Sequence, residues 1–178
     1  MIERVCFLMK KILIILSIII MIIISNKEYE KILIPEDSIR IRVIANSNNI
    51  EDQLEKLKVK KEIEKSLYKR LKQTKNINEA RKTIENNLPI LKETISKTIK
   101  NNNFTINYGE NYFPEKTLNG INYNEGIYES LLINLGESKG NNWWCVLFPP
   151  LCMIEIEEND NDFVEYKSKV LEILKDYK

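Results

Sequence analysis

The sequence predicts an α+β fold in a single domain, with an N-terminal strand and helices, then a mostly antiparallel sheet, then a C-terminal helix. Three observations predict it. Apolar residues alternate at 38–45, take helical spacing from 51 to 99, and alternate again at 104–108, 126–135 and 143–148 before a last helical stretch at 163–177. Strand, helices, strands and helix follow one another without an internal repeat, which favours one α+β domain over 38–178. Ahead of it, 1–25 reads as a signal peptide or membrane anchor and 26–37 as a polar tether.

Each element has its own signal. In "SIRIRVIA" (38–45), Ile39, Ile41 and Val43 share one face and Arg40 and Arg42 the other, the pattern of a half-buried strand. "NSNN" follows as a turn, with an Asn or Ser available to cap the next helix. Residues 51–73 place Leu54, Leu57, Ile63, Leu67 and Leu71 in an apolar stripe among Lys and Glu. Asn78 caps a second helix carrying Ala80, Ile84 and Leu88. Pro89 then begins a new helical segment at its first turn, where a missing N–H does no harm, and Leu91, Ile95 and Ile99 continue the stripe. Residues 112–123 are mixed, "GIYESLLINL" (126–135) is a strand, and Gly136 and Gly140 mark a turn. A strand at 143–148 runs into a Pro-Pro loop. A short strand is expected near 153–156, then a polar break at 159–162 and an amphipathic helix with Val170, Ile173, Leu174 and Tyr177.

Composition narrows the chemistry. The chain holds no histidine, which excludes Ser-His-Asp and Cys-His catalysis and His-containing zinc sites. It holds no Gly-rich nucleotide fingerprint, so no small-molecule cofactor is expected. Lys10 and Lys11 precede an apolar run at 12–24 broken only by Ser17, a secretory pattern. As a helix the run reaches about 20 Å, short of the roughly 30 Å hydrocarbon layer, so a cleaved signal is favoured over a permanent anchor. Uncleaved, residues 10–24 would touch the membrane. Met9 offers an alternative start that would leave Cys6 out. Net charge is +1 for the whole chain and −1 without residues 1–25, which gives no electrostatic footprint for nucleic acid.

The rarest residues gather in "NWWCVLFPPLC" (142–152), which contains both tryptophans and two of the three cysteines. In an exported protein Cys145 and Cys152 are expected to form a disulfide, stapling a hairpin or rigidifying an exposed tip around Phe148, Pro149 and Pro150. Redox catalysis is disfavoured because C-x-x-C is absent. Trp143 and Trp144 point to opposite faces of a strand. One can join the core while the other, with Phe148 and the prolines, forms a partner-binding patch, or both can be covered by the helices. The same rings suit sugar stacking, which keeps open an exported peptidoglycan-binding module, or a hydrolase using Glu155 and Glu157. A membrane-tethered scaffold is a third reading. Arg40 and Arg42 either pair with acids of the first helix or form an anion or partner site. Asp52 and Gln53 read as capping and dipole partners.

Two blocks, "IPEDSIRIRVIANSNNIEDQ" (34–53) and "GNNWWCVLFPPLC" (140–152), resemble the stage II sporulation protein R family of endospore-forming bacteria. The matching positions are Arg40, Arg42, Ala45, Asn46, Ser47, Asp52 and Gln53, then Asn142, Trp143, Trp144, Cys145, Phe148, Pro149, Pro150 and Cys152. The resemblance implies a signalling protein and not an enzyme. It would be made in the forespore and exported into the intermembrane space, or anchored facing it. There it would activate a membrane-embedded aspartic protease, stage II sporulation protein GA, which processes pro-sigma E.

Overall fold

The computed structural model describes residues 2–25, 34, 35, 37–101, 103–118, 121–153 and 162–176. The chain divides into two units, 1–31 and 32–178. The first carries helix α1 (Ile2–Ser25). No helix among the described residues is long and apolar enough to cross a membrane.

The second unit is α+β. A four-stranded sheet has the order β2-β5-β1-β6. Its strands are β1 (Ile39–Ile44), β2 (Phe104–Phe113), β5 (Gly126–Leu135) and β6 (Asn142–Phe148). Strand β1 runs parallel to β5 and antiparallel to β6, and β2 is antiparallel to β5. A separate hairpin, β3 (Lys116–Leu118) with β4 (Ile121–Tyr123), fills the region whose pattern reads as mixed. The Asn119-Gly120 pair between them is the sequence signal for such a hairpin. Strand β2 runs five residues beyond the expected 104–108, because its whole length pairs with β5.

Helices α2 (Ile50–Leu71) and α3 (Ile77–Thr98) cover one sheet face. Val59, Ile63, Leu67 and Leu71 of α2, and Ala80, Ile84, Leu91 and Ile95 of α3, pack on Ile39, Ile41, Val43, Leu131 and Ile133. Leu54 and Leu57, expected in the α2 stripe, are about half exposed instead. The buried face drifts toward Lys56 and Val59 at the helix start. Helix α3 is continuous through Pro89, where a new segment was expected. Apolar burial on both sides of the proline offsets the roughly 3 kcal/mol that an interior proline costs. The α3 cap is Asn76 and not Asn78: its Oδ1 accepts from the Glu79 N–H at 3.0 Å, while Asn78 lies in the first turn and binds Arg81.

The opposite sheet face is covered too. Phe113, Tyr123, Trp144, Val146 and Leu151 form a second cluster with Val170 and Leu174 of α4 (Asp162–Asp176). Strand β1 is therefore buried on both sides, and not half-buried as its alternation implies. The 153–156 strand and the polar break at 159–162 lie mostly outside the described residues, as does nearly all of the 26–37 tether.

Candidate functional site

The two motif blocks meet. Strand β1 of the first pairs with β6 of the second, and Arg42 lies opposite Trp144. Beyond the strands, the turn after β1 is held by the loop between β5 and β6. The Glu137 N–H donates to Asn46 Oδ1 at 2.9 Å, and the Lys139 N–H to the Asn46 carbonyl at 3.0 Å. The Gly140 N–H donates to the Ala45 carbonyl at 2.9 Å, and the Asn141 N–H to Asn48 Oδ1 at 2.7 Å. A side chain on Gly140 would collide with the Ser47 carbonyl, which explains the glycine.

Inside this clasp the motif polar residues bind one another. Ser47 Oγ donates to Asp52 Oδ2 at 2.5 Å and Asn46 Nδ2 to the same oxygen at 2.9 Å. Gln53 Nε2 donates to the Ser47 carbonyl at 2.8 Å. The buried Lys56 ammonium donates to Gln53 Oε1 at 2.6 Å and to the Asn141 carbonyl at 3.1 Å. The α2 N-cap position is Asn49, yet its side chain makes no capping bond. Ser47 Oγ instead accepts from the Asn49 N–H at 3.1 Å. Asn46, Ser47, Asp52 and Gln53 thus tie the β1–α2 turn to the β5–β6 loop, a wider role than capping.

Donation from Ser47 and Asn46 holds the Asp52 carboxyl below the ordinary aspartate range. A carboxyl lowered on folding contributes stability above its unfolded value, and that stability is lost as pH falls through the folded one. Asp52→Asn is therefore expected to flatten part of the acid limb of a melting-temperature profile below about pH 4. Parallel profiles for Asp52→Asn and wild type would contradict the assignment.

The Trp–Cys block is mostly internal. Trp144 is 5% exposed, its ring 5.4 Å from Phe113 and 5.9 Å from Tyr123. Trp143 takes the other face, half-buried against the first cluster, with Lys60 Nζ 5.1 Å above its ring. The alternation holds, and neither ring is fully outward. Of the two readings of this loop, the exposed tip around Phe148 is not what forms: Phe148 is 5% exposed, and Pro149 and Leu151 are buried. A register shift at Ile39/Arg40 places Phe148 opposite Ile39, which turns the ring to the helix-covered face. Pro150 remains half-buried, and the Phe148–Pro149 peptide is cis.

Cys145 and Cys152 are free thiols in the structure, where the sequence favours a disulfide. Both donate to the Val146 carbonyl, at 3.9 Å and 2.9 Å. Burial, then the neighbouring Cys145, pushes the Cys152 thiol well above its ordinary value. Glu155 and Glu157 lie outside the described residues.

Arg40 and Arg42 lie on the sheet face away from α2, so pairing with the acids of that helix is not what holds them. Arg40 is 2% exposed, its guanidinium 3.3 Å from the Tyr128 ring centre, with Phe113 and Tyr123 within 6 Å. Arg42 sits 5.9 Å from Phe113, and its Nη1 reaches the Tyr112 carbonyl at 3.5 Å. Lys116 of β3, which sequence reasoning missed, places Nζ 5.2 Å from the Trp144 ring. Among the described residues no salt bridge involves any of the three. Burial lowers both arginines; burial, then Arg42, lowers Lys116.

Among known proteins, residues 35–158 match the family described as Stage II sporulation protein R. Stage II sporulation protein R of Bacillus subtilis (strain 168) is 36% identical over 140 residues, covering 76% of this chain and 62% of that protein. The match thus spans less than two thirds of the relative. No solved structure matches significantly.

Proposed function

The chain belongs to the stage II sporulation protein R family, whose name places its members in sporulation, and from that premise we propose that it is an exported signal acting by binding. Its partner on this reading is the membrane-embedded aspartic protease, stage II sporulation protein GA, and its output is pro-sigma E processing. Residues 1–25 direct export from the forespore or hold the domain at the membrane surface. The observation that carries the reading is the union of the two motif blocks. They are separated by almost ninety residues, fall within the matched span apart from Ile34, and form one interlocked unit of β1, β6 and the clasp. Such a unit presents a fixed surface, and a signal must bind the active state of its receptor more tightly than the inactive state to shift it. Trp143 and Pro150 are half-buried members of the second block and are accessible enough to touch a partner.

The test is pro-sigma E cleavage in cells co-expressing the protease, its substrate and this chain, with and without residues 1–25. Cleavage is expected only with the full chain. Exported, folded protein that leaves pro-sigma E uncut would refute the proposal. Unfolded in denaturant, the exported form is expected to resist thiol alkylation at Cys145 and Cys152 until it is reduced, and alkylation without reductant would show that the pair stays reduced.

A further inference from the structure

Five buried polar side-chain atoms lack a hydrogen-bond partner among the described residues; four belong to one sheet face and the fifth lies just ahead of β1. They are Ser38 Oγ, Arg40 Nε and Nη1, Arg42 Nε, and Trp144 Nε1. Arg40 and Arg42 alternate along β1 on the side away from α2, and Trp144 stands opposite Arg42 on β6. A buried donor without an acceptor costs about 1–3 kcal/mol, and a charged one more. Finding Arg40, Arg42 and Lys116 together without an acid among the described residues marks a site that would accept an anion.

We propose that Arg42, Lys116 and Trp144 Nε1, backed by Arg40, receive a carboxylate from an acidic segment of a partner protein. Guanidinium groups present planar forks that bind a carboxylate or a phosphate in two parallel bonds, so the fork calls for an oxyanion. The rings of Phe113, Tyr128 and Trp144 flank the cations and hold them in place, but they supply no hydrogen-bond acceptor in the plane of the guanidinium forks. A phosphate site is more often built on backbone N–H groups at a helix start, and no helix N-terminus is among the groups assembled here. Arg42 and Lys116 are only half-buried and form the entrance, while Arg40 lies behind them. The choice of a protein carboxylate rests on the reading above that the partner is a protein.

The experiment follows the two indole N–H signals of the full chain by nitrogen–proton NMR during titration with a synthetic Glu-rich peptide. A Lys-rich peptide of equal length and inorganic phosphate serve as the other arms. The Glu-rich peptide is expected to shift the Trp144 signal saturably and leave Trp143, on the opposite face, in place. Arg42→Gln and Lys116→Gln are each expected to weaken binding at least tenfold, and added salt to weaken it further. Both positions are half-buried, so these variants retain the fold better than Arg40→Gln would. No saturable Trp144 shift, or equal affinity in Arg42→Gln, overturns the proposal. Phosphate binding at lower concentration than the peptide overturns the choice of carboxylate. Tighter peptide binding after Glu155→Gln, Glu157→Gln and Glu158→Gln together would assign the carboxylate to this chain and overturn a partner source. Because the readout needs no protease, failure here leaves the processing assay standing as a separate test of the signalling role.

Discussion

Trp144→Ala is expected to destabilise the domain by about 3–5 kcal/mol, the range for removing a large buried aromatic side chain. Trp143→Ala, one residue away, is expected to lose only about 1–2 kcal/mol, because a half-exposed ring recovers much less transfer free energy on folding. The difference follows from strand alternation. Trp144 is pressed between Phe113 and Tyr123, close to Val170 and Leu174 of α4, so its removal leaves a hole bounded by three elements. Its Nε1 has no partner among the described residues, so truncation breaks no hydrogen bond there and the loss is one of packing. Trp143 lies at the margin of the first cluster under Lys60, where water fills the space it leaves. Urea denaturation of both variants measures the contrast, and a larger loss at Trp143 would refute the assignment of faces. The same contrast governs signalling experiments. Trp144→Ala or Phe148→Ala would abolish processing by unfolding the domain, so Trp143→Ala is the variant that reports on contact.

The sequence carried the elements whose burial repeats with a simple period. Strand β1 was legible because Ile39, Ile41 and Val43 alternate with arginines. The stripe of α3 was legible because Ala80, Ile84, Leu91 and Ile95 keep helical spacing. What alternation cannot say is whether the polar face meets water. Arg40 and Arg42 occupy the polar face of that pattern, yet aromatic residues from β2, β4 and β5, distant along the chain, close over them. Their role as an anion or partner site was one of two readings the sequence left open, and the other, pairing with acids of α2, is not what the described residues show. The orientation of Phe148 was hidden for a different reason. A one-residue bulge at Leu147 reverses the face that simple alternation assigns to Phe148, and nothing local in "VLFPPL" announces it. Lys116 was missed because its short hairpin has too few residues to show a period.

Gly140→Ala is expected to destabilise the domain by about 3 kcal/mol, at the upper end for an overpacked position. The new methyl would meet the Ser47 carbonyl carbon and oxygen and the Ala45 Cβ, atoms that cannot rotate away. Shifting the loop instead would break the Gly140 N–H bond to Ala45 and the Lys139 N–H bond to Asn46, and so open the clasp. Gly136→Ala offers an internal comparison. Gly136 has φ +55°, a left-handed conformation that costs an alanine roughly 1–2 kcal/mol, and its methyl would meet the Asn46 side chain rather than backbone. Combining each variant with Asn46→Ala separates the two. Removing the Asn46 side chain relieves the Gly136→Ala collision, so that pair is expected to be less destabilised than the sum of its parts. No side-chain truncation at Asn46 relieves a collision with the Ser47 backbone, so Gly140→Ala is expected to show little such relief. Denaturation midpoints for the two double-mutant cycles decide it. Equal coupling in both would mean that the loop yields as a whole, and the clasp would then not be the rigid joint between the two blocks that the signalling reading requires.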